Sequence, residues 1–177
     1  FRKPLQGHIE RVYADDRAHQ ALLILALLLD SGDVETVEAR AAALRLSNPE
    51  RERLTALVRG RAHFAALANS ETELDPLTIY RYWREAGEAG IDIILLDLAR
   101  TLARGGVSID QDRWLRRVDH AGTLLYGYFQ RRAEWVEPLA VINGRELMAA
   151  LHLKPGRMVG QLLEAIREAQ VTGSVTS

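Results

Sequence analysis

The chain contains no cysteine among its 177 residues. That absence removes disulfide staples, thiolate metal sites and Cys nucleophiles, and makes a reducing cytoplasm the simplest setting. Long apolar runs are also missing. The longest, ALLILALLL from Ala21 to Leu29, covers about half of the roughly 20 residues that a membrane-spanning helix needs, so no membrane association is expected. No basic stretch followed by an apolar one opens the sequence, and no signal peptide is expected. The opening FRKPLQGHIERVYADDRAH begins with Phe1 rather than Met and is expected to be the middle of a longer chain. There is no Gly-rich P-loop and no G-x-G-x-x-G. The five histidines, His8, His19, His63, His120 and His152, include no i, i+4 pair and no H-E-x-x-H pattern. The expectation is therefore no catalytic residue, no metal and no cofactor within this chain.

A strong charge of either sign is lacking too. The net charge is −1 and the pI about 6.6, unlike the basic footprint of an obligate nucleic-acid binder. The average conceals blocks. Residues 40–62 carry six arginines against two glutamates, a net +4. Residues 71–97 carry two arginines against seven acids, a net −5. Residues 100–132 carry seven arginines against three aspartates, again +4. Such blocks suit either a cationic face for phosphate or solvated helix faces that pair with one another.

What is present reads almost throughout at the helical period, and the fold class is all-α: a body of about six or seven helices plus a small helical tail. The predicted helices span about Asp16–Asp30, apolar on nearly all sides and so central and buried, then Val34–Leu46 and Asn48–Leu67. Ser47 and Glu50 have capping-box spacing, and Pro49 sits in the first turn of the third helix. Asp75 before Pro76 starts another helix ending near Ala86. Further helices run to Leu102, from about Asp110 to Ala133, from Asn143 to Leu151 and from Gly156 to Gln170. Glu134–Val141, with Pro138, is read as a linker, which puts a subdomain boundary between a body of residues 1–137 and a tail of 138–177.

Several groups invite chemistry. The pairs Asp15 with Asp16 and Asp110 with Asp112 suit Mg²⁺, yet each falls at a helix start, where Asp offsets the dipole. Asp92 and Asp97 flank apolar residues of one helix and read as salt-bridged or exposed. Tyr80, Tyr82 and Trp83, beside Arg81 and Arg84, and Tyr126, Tyr128 and Phe129, before Arg131 and Arg132, suit either a core face or base stacking. The stretch LKPGRMVG stands apart. Gly156 and Gly160 open the backbone at a helix start, and Lys154 and Arg157 add full charge, so the turn suits a phosphate group. The alternative is that Gly156 supplies an unusual backbone angle and Gly160 a close helix contact.

The run from Pro138 to Val175, PLAVINGRELMAALHLKPGRMVGQLLEAIREAQVTGSV, resembles the tail of bacterial tRNA nucleotidyltransferases of the class that includes CCA-adding enzymes and poly(A) polymerases. Asn143, Gly144, Leu147, Leu153, Pro155, Gly156, Gly160, Leu163, Glu168, Ala169, Gln170 and Gly173 sit where the family pattern places them. LRLSNPERERLTALV and IDIILLDLAR are similar to body helices of the same family. The family's catalytic head, with its Gly-Ser loop and paired aspartates, has no counterpart in these residues. The resemblance thus implies a non-catalytic body and tail that hold tRNA, or another RNA 3′ end, for a head lying N-terminal to it in a parent that uses Mg and ATP or CTP. Some relatives carry a His-Asp metal site in the body. Leu29 and Asp30 stand in its place, so a degenerate HD-type phosphohydrolase without activity is a second reading.

Backbone contacts to RNA are expected from Lys154, Gly156, Arg157, Gly160 and Arg145, with Arg116, Arg117, Arg131 and Arg132 as further candidates. The rival is a protein–protein or homodimer module docking through apolar helix faces.

Overall fold

A computed structural model describes residues 2–13, 17–29 and 32–175, with the side chain of Val107 outside the description. These residues form α1 (Arg2–Ile9), α2 (His19–Leu28), α3 (Val34–Ala43), α4 (Asn48–Ala68), α5 (Pro76–Ala86), α6 (Gly90–Gly105), α7 (Gln111–Gln130), α8 (Gly144–Leu151) and α9 (Arg157–Val171). The all-α expectation holds. Among the described residues, extended segments meet only in a single antiparallel bridge between Val12 and Ala18. No described helix is long and apolar enough to cross a membrane.

The central element is α4, packed against α2, α3, α5, α6 and α7. Its start is set by chemistry legible in the sequence. The Glu50 carboxylate accepts the Ser47 backbone N–H at 2.8 Å and the Ser47 hydroxyl at 2.7 Å, and it also accepts Arg17 Nη1 at 2.8 Å. Glu50 is wholly buried, so the capping carboxylate also ties the segment before α2 to α4. Leu54, Leu57 and Phe64 line the buried stripe of α4 and meet Ile91, Ile93, Ile94 and Leu96 of α6 within one core. The two helices approach closely at Gly60, where a Cβ would sit 2.2 Å from Ile93 Cδ1. Only glycine permits that spacing without a shift of Ile93.

The structure departs from expectation in three places. First, α2 is not central: Leu22, Leu23 and Ala26 are buried, but Ile24 and Leu28 are 54% and 76% exposed. It lies on the flank of α4 and α6, so only one side of its apolar surface is covered. Second, α1 was not anticipated, because its six polar and turn-prone residues among eight give a weak apolar period. Third, the presumed linker is partly helical. The helix before it stops at Gln130, and Arg132–Val136 forms a π-helical turn that buries Val136 against α5 and α7. The aromatic cluster of α5 is core: Tyr82 and Trp83 are buried, with Trp83 Nε1 donating to the Leu124 carbonyl at 3.2 Å.

Candidate functional site

The tail turn is built by two caps and one docking face. Asn143 Oδ1 accepts the N–H groups of Arg145 and Glu146, both at 3.0 Å, while Glu146 accepts the Asn143 N–H at 2.9 Å. This reciprocal cap fixes the start of α8. The helix ends at His152, in a left-handed conformation at φ 52°, and the chain turns through Lys154, Pro155 and Gly156 into α9. Leu147 and Val159 are buried where the two helices meet.

From the body, α5 grips α9. Tyr80 Oη donates to Glu164 at 2.7 Å, Arg81 donates to both Glu168 oxygens at 2.7 and 2.8 Å, and Arg84 Nε donates to Glu164 at 3.2 Å. Burial, then the hydrogen bond and charge of Glu164, push the Tyr80 phenol up to about 12. Burial acts to raise the Glu164 carboxyl, but the Tyr80 hydroxyl and the charges of Arg84 and Arg167 outweigh it and hold the group below the usual carboxylate range.

At the turn itself, no side chain caps α9, and its first turn carries no acidic residue. Lys154, Gly156, Arg157 and Gly160 are all exposed. Neither Lys154 nor Arg157 makes a side-chain hydrogen bond or ion pair among the described residues. Neither bland explanation for the glycines holds. Gly156 has φ 170°, extended backbone open to any residue, and a Cβ at Gly156 or Gly160 would meet nothing within 4 Å. The helix N-terminus, two cations and two unobstructed glycines therefore face open solvent together, an arrangement suited to an approaching anion.

The other sequence candidates are dispersed. Arg145 is exposed but at the far end of α8, about 12 Å of helix away. Arg116 is exposed on α7. Arg117 is buried and turned inward, its guanidinium bonded to Asp97 and, at 3.0 Å, to Asn69 Oδ1. Arg131 pairs with Glu134 and lies 5.0 Å over the Trp135 ring. Arg132 pairs with Glu137 at 2.6 Å and lies 4.6 Å over Tyr128.

Sequence reading missed a second cluster. Asp92, fully buried on α6, accepts His8 Nε2 of α1 at 2.6 Å and His19 Nε2 of α2 at 3.0 Å through Oδ1, and its Oδ2 lies 2.9 Å from Arg53 Nε of α4. Tyr13 Oη lies 3.2 Å from His19 Nδ1. Burial would raise the Asp92 carboxyl, but the hydrogen bonds from His19 and His8 and the Arg53 charge overcome this and hold it well below its ordinary value. An open cleft of about 470 Å³ lies above His19 and Arg53, walled by Arg11, Tyr13, Glu52 and Glu88.

The three ligand-type atoms of His8, His19 and Asp92 lie within 4.8 Å of one another, close enough for one divalent cation. The site is nonetheless a poor fit for a metal: Asp92 Oδ1 already accepts two imidazole donors, and the Arg53 guanidinium covers the other oxygen with positive charge. It serves instead as a polar anchor joining four helices. One signal was available, since an aspartate inside GIDIILLDL must be paired if that helix is buried. Asp110, by contrast, caps α7 as expected, accepting the Arg113 N–H at 3.1 Å. Asp15, Asp16 and Asp30 lie outside the described residues.

With this geometry established, comparison with known proteins adds two findings. Residues 136–177 match the family described as tRNA nucleotidyltransferase domain 2. Over 145 residues, 82% of the chain, the sequence is 26% identical to the CC-adding tRNA nucleotidyltransferase of Synechocystis sp.. The chain spans about a third, 31%, of that relative's length. No solved structure matches.

Proposed function

We propose, from the match of residues 136–177 to the tRNA nucleotidyltransferase domain 2 family, that this helical region holds the phosphate backbone of a tRNA while another part of the protein adds nucleotides to the RNA 3′ end. The observation that carries the reading is the open turn between α8 and α9. There Lys154 and Arg157 flank an uncapped helix N-terminus, and Gly156 and Gly160 leave room for a backbone to come close. Contacts of this kind position RNA without reading its bases, and their affinity depends on salt.

The body of residues 1–137 supports the tail through the grip of α5 on α9, and residues 138–177 supply the contact. Arg145 and Arg116 add weaker, exposed charge, whereas Arg117, Arg131 and Arg132 are engaged by acidic neighbours and contribute less. The test is tRNA binding by the 177-residue chain, measured by fluorescence anisotropy. Lys154→Glu combined with Arg157→Glu is expected to weaken binding by about tenfold or more. Equal affinity in the double variant would remove the turn from the contact surface.

A further inference from the structure

The tail meets the body along a seam unlike the interior of either. Leu147, Val159 and Val171, the buried apolar side chains of α8 and α9, stand outside the core that α2 to α7 share with Val136. The two tail helices close on each other instead: a Cβ at Gly144 would lie 3.5 Å from Leu163 Cδ1 and 3.8 Å from Val159 Cγ1. They form one arm.

Across the seam, Tyr80 brings a buried ring whose hydroxyl donates to Glu164. The other side-chain bonds between α5 and α9, among the described residues, are charged: Arg81 to both oxygens of Glu168, and Arg84 to Glu164. The side chains of Arg81 and Arg84 are 59% and 61% exposed, so salt screens both pairs, and each favours the docked arrangement by about fivefold at most. Two open clefts adjoin the seam, one of about 290 Å³ between Tyr80, Arg84, Pro138 and Arg167 and one of about 550 Å³ between Trp135, Leu139, Val141 and Val171. Such voids interrupt the close packing that fixes a core element in one place.

The covalent link is residues 137–143, which form no helix between the π-helical turn and α8. Gln170 Nε2 donates to the Leu139 carbonyl at 2.7 Å and ties the end of α9 to that link. From Gln170 back to Arg157, α9 runs about 20 Å, so a rotation of about 20° at this tie carries the Lys154–Arg157 turn about 7 Å.

We propose that α8 and α9 are a hinged arm, pivoting where Gln170 meets Leu139 and clamped on α5 through Arg81 and Arg84, so that charge sets where the tail turn stands relative to the body. The hinge goes beyond the RNA-holding reading and does not depend on it, since the arm is released or clamped with no RNA present. Screening at about 1 M salt, where the Debye length is about 3 Å, loosens the clamp, whereas a seam held by apolar burial is not weakened by screening.

The experiment measures spin-label distances in the 177-residue chain without RNA. The chain has no cysteine, so labels go only to introduced sites: Ala150→Cys on α8 paired with Ala42→Cys on α3, and Ala150→Cys paired with Gln111→Cys on α7, all exposed positions. Circular-dichroism melts confirm that each variant is folded. The expected result is one narrow distance at low salt and a second, broader population, about a tenth of the molecules or more, at about 1 M salt. Arg81→Glu sets a carboxylate against Glu168 and should show the second population at low salt; Arg81→Glu combined with Glu168→Arg should return the narrow distance. A single narrow distance at every salt concentration and in Arg81→Glu, for both label pairs, overturns the hinge. Release by Arg81→Glu that the exchanged pair fails to reverse overturns the clamp, because Arg81 would then act through the fold of α5 and not through its partner.

Discussion

Replacing Asp92 with Asn tests whether the buried cluster acts as the anchor of the body. The side chain has no solvent exposure, and it joins α6 to α1, α2 and α4 through His8, His19 and Arg53. Asn keeps the shape but offers one acceptor oxygen and brings an NH₂ group, so either Arg53 or the imidazole N–H groups lose their partner. Breaking a buried, hydrogen-bonded charge pair costs about 3–5 kcal/mol. For a chain of this size each kcal/mol shifts the melting temperature by about 2–4 °C, so the variant should melt about 6–20 °C lower at pH 7.

The pH dependence has a definite sign. The Asp92 carboxyl is held below its ordinary value in the folded state, whereas the unfolded group titrates near about 3.9. Its stabilising contribution is therefore complete above the unfolded value and is lost as pH falls through the folded one. The gap between wild type and Asp92→Asn should narrow below about pH 4. Circular-dichroism melts from pH 7 to pH 3 measure both effects. A variant melting within about 1 °C of wild type at pH 7 would refute the anchor. So would a zinc-induced rise in melting temperature that is seen in wild type and absent from the variant, since the cluster would then be a metal centre.

Two further outcomes follow from the tail. Gly160 lies inside α9 and an added Cβ meets nothing, so Gly160→Ala should stabilise the helix by about 0.5–1 kcal/mol while weakening tRNA binding. A higher melting temperature with unchanged affinity would take Gly160 out of the contact. The Tyr80 phenol, pushed up to about 12 by burial and Glu164, against about 10 when unfolded, contributes stability that is complete below pH 10 and is lost as pH rises toward 12. Burial raises the Tyr82 and Tyr13 phenols as well, so ultraviolet titration of phenolate is compared between the unaltered chain and Tyr80→Phe: one late ionisation, and the loosening of the tail with it, should disappear in the variant. An unchanged set of late ionisations in Tyr80→Phe would contradict the Tyr80–Glu164 bond.

What could be read in the sequence was local. The Ser47–Glu50 pair and the helix starts at Asp75, Asp110 and Asn143 lie within three residues of what they bind, so spacing alone located four helix starts, while the return contact from Glu146 to Asn143 came only with the structure. The turn at Lys154–Gly160 was legible for the same reason. Burial of α2 was misjudged because periodicity shows how apolar a helix is and not how many neighbours it has, and α4 covers one side only. The Asp92 cluster joins residues 73 and 84 positions apart. It has no spacing to read, and Arg117 was assigned outward because charge in a sequence carries no direction.

The central claim is that RNA lies against the turn between α8 and α9. A photo-crosslinking residue at position 158, where Met158 is 60% exposed one residue beyond Arg157, reports that directly, with position 28 on the exposed face of α2 as the comparison. The account predicts an ultraviolet-induced crosslink to tRNA from position 158 that disappears at high salt, and little from position 28. Crosslinking from position 28 with none from position 158, at a salt concentration where the RNA is bound, would contradict it.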